Sequence, residues 1–410
     1  MGLTIIKEAN RCLQCKKPMC QQGCPVHTPI PKVIDKFKNN DLMAAGKILF
    51  ENNPMSVVCS IVCDHDAQCA GHCVLGKKGS PVTFFNIEHF VSDAYLDRMR
   101  FVQKEKKGKK VAVIGSGPAG MTVAILLAQN GYGVTMFDDN DRIGGMLQYG
   151  IPGFRLPKAV LKRYEKKMAQ MGICFRPNTA LGESLTIQDL FRDGYKAVFV
   201  GTGVWRPKSI GIEGESLANV HFGISYLANP SAYNLGEKVA IIGMGNVAMD
   251  VARTAIRHGA QEVTLYARSK RIAASEHEMD YAKLDGAQFV FGYAIEKISP
   301  NGPIFKKAIF DQNDQVIGYE KVSEERLADS TILAVSQAPK NKLVLTTEGL
   351  QANERGLLVT DENCMTTCEG VFAAGDVVHG SNTVVAAVDE AKRAAQAMMR
   401  FMENGEAIGD

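Results

Sequence analysis

The hydrophobic pattern of the chain changes period several times, and each change marks a part of the molecule. From Ile30 to Asn39 and from Asp41 to Asn52, helix formers with few β-branched residues predict two helices. The stretch Gln103 to Lys110 (Gln-Lys-Glu-Lys-Lys-Gly-Lys-Lys) has no apolar period and reads as a solvated connector. At Val111 a short apolar strand runs into Gly115-Ser116-Gly117-Pro118-Ala119-Gly120. A helix-forming stretch follows from Met121 to Asn130, Gly131 stops it, and a second strand covers Gly133 to Phe137 and ends at Asp138. The arrangement recurs as the strand Val239 to Ile242, the loop Gly243-Met244-Gly245-Asn246-Val247-Ala248, a helix to His258, Gly259, and the strand Glu262 to Tyr266. Strand, glycine loop, helix and strand, twice over, predict a duplicated βαβ start of the nucleotide-binding kind.

Composition narrows the class. A chain of 410 residues suggests two or three domains. With 46% hydrophobic and 22% charged residues, a disordered chain and an integral membrane protein are excluded. The balance of 47 Lys+Arg against 44 Asp+Glu leaves a formal charge of +3, so nucleic acid is not the expected partner. Met1 to Glu8 brings in charges too early for a secretory apolar core, and the expected location is the cytoplasm, without a membrane partner.

Eight of the 11 cysteines lie before residue 74, in the runs Cys12-x2-Cys15-x4-Cys20-x3-Cys24-Pro25 and Cys59-x3-Cys63-x5-Cys69-x3-Cys73. In a cytoplasmic chain such density points to metal rather than disulfides, and predicts a small, helical, metal-dependent module. The first run is similar to the bacterial ferredoxin run with its middle gap widened, where the last cysteine before proline serves the other cluster. Zinc is the alternative, because His27, His65, His72 and His89 share the region, but neither run has paired C-x2-C zinc spacing.

Each glycine loop has a physical requirement. In Gly115-x-Gly117-x-x-Gly120 the first glycine makes a tight turn, the second lets backbone approach a pyrophosphate, and the third lets helix pack on strand. Pro118 and Ala119 open the helix whose N-terminus would face the phosphates, and Asp138 stands where an acid takes a ribose hydroxyl. Three further features point to FAD: Gly144-Gly145-Met146 soon after Asp138, the strand-end motif Ala373-Ala374-Gly375-Asp376, and a helix from Thr383 to Met398 whose N-terminus can stabilise charge on a flavin. In the second loop Gly243, Gly245, Asn246 and Val247 are the expected nucleotide contacts, with Ala248 in the third place. The following strand ends in Ala267-Arg268-Ser269-Lys270-Arg271, with no acid for a ribose diol. The cations Arg268, Lys270 and Arg271 favour NADPH over NADH.

A chain holding FAD and a nicotinamide nucleotide passes hydride between them, with no catalytic side chain required. No cysteine lies between Cys73 and Cys174 or from 175 to 363, which argues against a dithiol beside the flavin, and Cys364 and Cys368 read as structural.

The cysteine runs, Arg142 to Pro157, Gly243 to Asp250 and Ala373 to Asp376 together resemble the glutamate synthase small-subunit family, which includes the small subunit of bacterial NAD-dependent dihydropyrimidine dehydrogenase. The resemblance covers nearly the whole chain. It implies an α/β fold of the disulfide-reductase type: a helical iron-sulfur domain (1–102), an FAD domain (109–235 and 336–410), and an inserted NAD(P) domain (236–335). It also implies FAD, two [4Fe-4S] clusters, oxidation of NADPH or NADH, and single electrons delivered to a larger catalytic subunit. A redox-sensing scaffold without turnover and an electron-bifurcating NADH/NADPH:ferredoxin oxidoreductase subunit are the alternatives. The family's NADPH users carry two adjacent cations after the second strand, whereas Ala267 precedes Arg268 here, as in the NAD-dependent branch. By the same resemblance one cluster takes Cys12, Cys15, Cys20 and Cys73, and the other takes Cys24, Cys63, Cys69 and Glu88. His89 is the rival to Glu88, and Cys59 is left a free thiol.

Overall fold

A computed structural model describes residues 2–101 and 104–404. The expected domain end at 102 and the connector's first residue, Gln103, lie outside the described residues.

The N-terminal module is helical: α1 (Gly2–Asn10), α2 (Met19–Gln22), α3 (Ile30–Lys38), α4 (Leu42–Asn52), α5 (Ser56–Val62) and α6 (Phe84–Arg98). Asp41 caps α4 by accepting from the Ala44 N–H at 3.0 Å. Val33, Ile34, Leu49, Ile87 and Val91 are fully buried between α3, α4 and α6, each contributing about 1.5–3 kcal/mol. Most of the cysteines occupy loops and helix ends around that core, whereas Cys20 lies in α2 and Cys59 in the middle of α5.

The connector is less solvated than its charge suggests. The Lys107 N–H bonds Gly131 O at 3.0 Å and its ammonium pairs with Glu403, while Lys109 Nζ donates to Met402 O at 2.7 Å. The lysines tie down the chain's last helix.

The rest of the chain runs through β1 (Lys110–Ile114), α7 (Pro118–Gln129), β2 (Gly133–Phe137), α8 (Lys158–Gln170), β3 (Cys174–Arg176) and β4 (Tyr195–Val200). It continues through β5 (Val220–Phe222), α9 (Gly223–Ala228), β6 (Lys238–Ile242), α10 (Asn246–Arg257), β7 (Glu262–Ala267), α11 (Glu276–Leu284) and β8 (Gln288–Phe291). An antiparallel meander of β9 (Tyr293–Ser299), β10 (Gly302–Phe310) and β11 (Val316–Glu325) follows, then β12 (Ser330–Leu333), β13 (Val371–Ala373) and α12 (Val384–Asn404).

Two compact units result. The first comprises Met1–Gln148, Gly153–Val204 and Pro339–Asp410, and the second Tyr149–Pro152 and Trp205–Ala338. In the first, a parallel sheet has the order β13-β4-β1-β2-β3, and in the second a parallel sheet has the order β5-β12-β6-β7-β8. The second unit begins before the expected boundary at 236, because β5 pairs with β12 and α9 packs on α10. A glycine loop marks where a βαβ unit starts, not where its outermost strand enters the sheet.

Candidate functional site

Two cavities in the helical module gather the cysteines. Cys12, Cys15, Cys20, Cys69 and Cys73 line the first, together with apolar side chains such as Ile30, Ile34 and Phe84. Burial, then the neighbouring Cys73, pushes the Cys20 thiol up to about 11. The rim is apolar and exposed, with Leu13 61% and Met19 43% accessible.

Cys24, Cys59, Cys63, Cys69 and Glu88 line the second cavity. Glu88 is buried, its Oε1 accepts from Ser56 Oγ at 2.8 Å, and burial pushes its carboxyl up to about 7. The Cys63 thiol is raised by its hydrogen bond with Cys59 and then by burial. Cys59, expected to be a buried free thiol outside the ligand sets, is buried in the wall of this cavity. His65 also lines it, its ring stacked on Phe85 at 4.2 Å, whereas His89 is exposed and faces Ser60 Oγ at 3.2 Å. His27 and His72 point to the carbonyls of Gln21 and Gln68. Among the described residues no group of three or more His, Cys, Asp or Glu is placed to hold a single metal ion. The thiols stand around cavities.

The module is fastened to the flavin-side sheet through α8. The fully buried Tyr164 hydroxyl donates to Pro54 O at 2.8 Å, and Arg163 pairs with Asp93 at 2.5 Å and Asp97 at 2.8 Å. Val385, in the first turn of α12, forms part of the second cavity's wall.

The first glycine loop has the shape its sequence requires. A Cβ at Gly115 (φ +97°) would stand 2.5 Å from Gly201 O, and one at Gly120 would stand 1.9 Å from Gly115 O, whereas nothing lies within 4 Å at Gly117. The middle glycine thus leaves an open cradle before α7, with Pro118 and Ala119 in the first turn. Asp138 is buried at the end of β2, where Oδ2 accepts from Ser116 N at 2.7 Å and Ser116 Oγ at 2.6 Å, and Oδ1 from Asn140 N at 2.9 Å. Ser116 is a partner that sequence reasoning passes over, having the unremarked x of the motif. Gly144 N bonds Ser116 O at 2.8 Å, so Gly145 and Met146 lie against the same loop.

At the end of β13, Gly375 takes φ +80° and Asp376 follows. Burial pushes the Asp376 carboxyl up to about 7; Asn382 N–H opposes this and Glu390 adds to it. Glu390 accepts from Gly375 N at 2.7 Å from within α12, another contact no motif announces. Thr383 caps that helix, its Oγ1 accepting from Ala386 N at 3.3 Å.

In the second unit, a Cβ at Gly243 (φ +137°) would stand 2.4 Å from Ala334 O, and nothing lies within 4 Å at Gly245. Asn246 and Val247 open α10, and Asn246 Oδ1 accepts from Ser275 N at 3.0 Å, holding the segment after β7 against the loop. Of the three cations there, Arg268 and Arg271 are exposed, but Lys270 pairs with Asp314 at 2.5 Å and sits over the Phe310 ring.

Residues 109–391 match the family described as pyridine nucleotide-disulphide oxidoreductase, and residues 2–99 match dihydropyrimidine dehydrogenase domain II, 4Fe-4S cluster. The chain is 31% identical to the glutamate synthase [NADPH] small chain of Escherichia coli K12, over 97% of this chain and 91% of that one. The chain belongs to the glutamate synthase small-chain family. The family's other branch is as near: the NAD-dependent dihydropyrimidine dehydrogenase subunit PreT of E. coli K12 is 32% identical, over 98% and 95% of the two chains. As a small-chain family member the protein is an oxidoreductase that joins a pyridine-nucleotide flavoprotein fold to a 4Fe-4S domain. The fold is also that of Mycobacterium tuberculosis FprA in complex with NADPH (TM-score 0.61, 17% identity, 73% and 85% covered). T. acidophilum thioredoxin reductase shares it too (TM-score 0.56, 19% identity, 73% and 99% covered). Among the described residues the 11 cysteines form no disulfide; Cys174 is exposed on β3 and Cys364 is buried. No helix among the described residues is long and apolar enough to cross a membrane.

Proposed function

We propose that the chain is an electron-input subunit, oxidising NAD(P)H at FAD and sending single electrons through two [4Fe-4S] clusters to a larger catalytic subunit of the glutamate synthase or dihydropyrimidine dehydrogenase kind. FAD, when bound, supplies hydride acceptance and one-electron release, and the clusters supply a one-electron relay. The residues fit these groups. Thiols that burial keeps protonated need a soft cation to become ligands, and two cavities each offer a set. Cys12, Cys15, Cys20 and Cys73 would hold one cluster; Cys24, Cys63, Cys69 and Glu88 would hold the other.

Around the flavin, the open cradle at Gly117 would take the pyrophosphate, Asp138 the ribose, and Asp376 the ribityl chain, with Glu390 fixing the Gly375 turn. The observation that carries the reading is Val385: the helix that follows the Gly-Asp turn also walls the second thiol cavity. Arg268 and Arg271, exposed at the end of β7, would read the 2′-phosphate of NADPH.

Protein purified without oxygen should contain about eight irons and one FAD per chain, and its flavin should bleach on adding NADPH. Iron well below eight, or a flavin that neither nucleotide bleaches, would sink the proposal. Glu88→Ala should cost about four irons and Cys59→Ala none. The reverse result would make Cys59 the ligand, which its place in the cavity wall allows.

A further inference from the structure

A row of hydrogen bonds links the flavin-side helix to one of the cysteines. Lys392, on α12, donates from Nζ to Asn52 Oδ1 at 3.3 Å. The same amide donates from Nδ2 to Thr28 Oγ1 at 3.3 Å. Thr28, 2% exposed, has its Oγ1 3.3 Å from Cys24 Sγ. The ammonium sets the sense of the first two bonds. Asn52 must turn its carbonyl to the ammonium, so its NH2 faces Thr28. The Thr28 oxygen accepts that bond and keeps its one proton, which it donates to the sulfur once Cys24 is a thiolate with no proton of its own. Backbone N–H groups of Thr28 and Val26 also face Cys24.

We propose that Lys392, acting through Asn52 and Thr28, sets how readily the metal cluster bound at Cys24 accepts an electron. The inference rests on the assignment of Cys24 to a cluster. Reduction adds one negative charge, part of which falls on the ligand sulfurs, and donors to those sulfurs are one of the protein's levers on cluster potential. A chain of bonds polarised in one sense strengthens its last member, and an ammonium at the head polarises it further. No other cysteine of the two runs has a recorded link of this kind to α12 among the described residues. Lys392 is thus a positioning residue for electron entry: its hydrogen bond reaches the sulfur only through Asn52 and Thr28, and its effect should be confined to one cluster.

The test is potentiometric titration of oxygen-free protein, with both clusters followed by electron paramagnetic resonance and iron and flavin counted in every sample. Thr28→Val should lower the equilibrium constant for reducing one cluster about tenfold, 59 mV for a one-electron couple. Lys392→Met should lower it about threefold. The double variant should match Thr28→Val alone, because both act through one chain. Lys392→Arg, which keeps a donor and a charge, should restore most of the value. Flavin content and bleaching by NADPH should not change in any of them. Normal iron with an unmoved potential in both single variants overturns the inference alone, as do equal shifts in both clusters or shifts that add in the double variant. Wild-type iron well below eight overturns the cluster reading first. Should Thr28→Val fail to assemble a cluster, Lys392→Met, outside the module, decides by the same criterion.

Discussion

The two parallel sheets share a plan and differ in lining. In both, the first glycine of the loop is forced by a carbonyl across the sheet: Gly201 O at 2.5 Å from a Cβ on Gly115, Ala334 O at 2.4 Å from one on Gly243. In both, the middle glycine opens onto empty space. Beyond that they diverge. The flavin-side sheet packs its third glycine against backbone, buries Asp138 at the end of β2 and holds Glu390 half-buried under the Gly375 turn. The nucleotide-side sheet takes Ala248 in the third place and ends β7 in exposed cations. A tightly wrapped loop with internal acids suits a group that stays bound, whereas an open loop with surface cations suits one that comes and goes.

The largest effect that would sharpen this contrast is at the third loop position. In Gly120→Ala the new methyl would lie 1.9 Å from Gly115 O, and backbone cannot yield as a side-chain tip can. Loss of about 3 kcal/mol is expected, of the order seen for overpacked cores, and FAD retained through gel filtration should fall below a tenth. Ala248→Gly should cost only about 1 kcal/mol, the helix propensity difference. Equal effects at the two positions would break the comparison.

Next comes Asp138, whose carboxylate gathers Ser116 N, Ser116 Oγ and Asn140 N. Removing it in Asp138→Ala leaves buried donors without acceptors at about 1–3 kcal/mol. The dissociation constant for FAD should rise by one to two decades in a fluorescence titration, while the nucleotide-side sheet is untouched.

Asp376 tests whether the flavin side buries acids at a cost. Its carboxyl sits at about 7 against an ordinary value near 3.8, so the folded chain holds a proton that the unfolded chain has lost. Stability without flavin should therefore fall as pH rises from about 4 to about 7, by about 1–2 kcal/mol once solvent screening is allowed for. Denaturant melts of flavin-stripped protein at pH 5 and pH 8 should show this drop in the wild type and a flatter profile in Asp376→Asn. A profile as steep in the variant would remove Asp376 as the cause.

Much of this was legible in the sequence because it is local. The glycine spacings, the strand Gly133–Phe137 and the helices on either side of Asn40 follow from steric and periodic rules within a dozen residues. The antiparallel meander β9 to β11 was not legible: most of β11 is exposed or half-exposed, so no clean alternation marks a buried face. Glu88 could be placed only through resemblance, since nothing local distinguishes a buried carboxylate at 88 from an exposed imidazole at 89. The partners Ser56, Glu390 and Thr28 lie 32, 15 and 4 residues from the groups they serve, and only the folded chain brings the first two together. Cys59 shows the limit most clearly: its i,i+4 spacing sets it beside Cys63, but only the packing of α5 shows that it faces the cavity.

The smallest effects lie among the three cations after β7, which sequence treats as one cluster. Their surroundings differ. Arg268 and Arg271 are exposed, whereas Lys270 is engaged with Asp314 at 2.5 Å and with the Phe310 ring. A charge already neutralised by a neighbouring carboxylate gives little further attraction to a phosphate, and an exposed pair of this kind contributes about 0–1 kcal/mol to the fold. A guanidinium offers the fork geometry that phosphate prefers. Arg268→Ala should accordingly raise the KM for NADPH about tenfold, a charge-assisted bond of about 1.5 kcal/mol, and leave that for NADH nearly unchanged. Lys270→Ala should change the NADPH KM less than about threefold, and Asp314→Ala, which releases Lys270, should lower it slightly. If Lys270→Ala matches Arg268→Ala, then Lys270 leaves Asp314 when nucleotide binds, and the nucleotide side reads its ligand by rearrangement rather than by cations already in place.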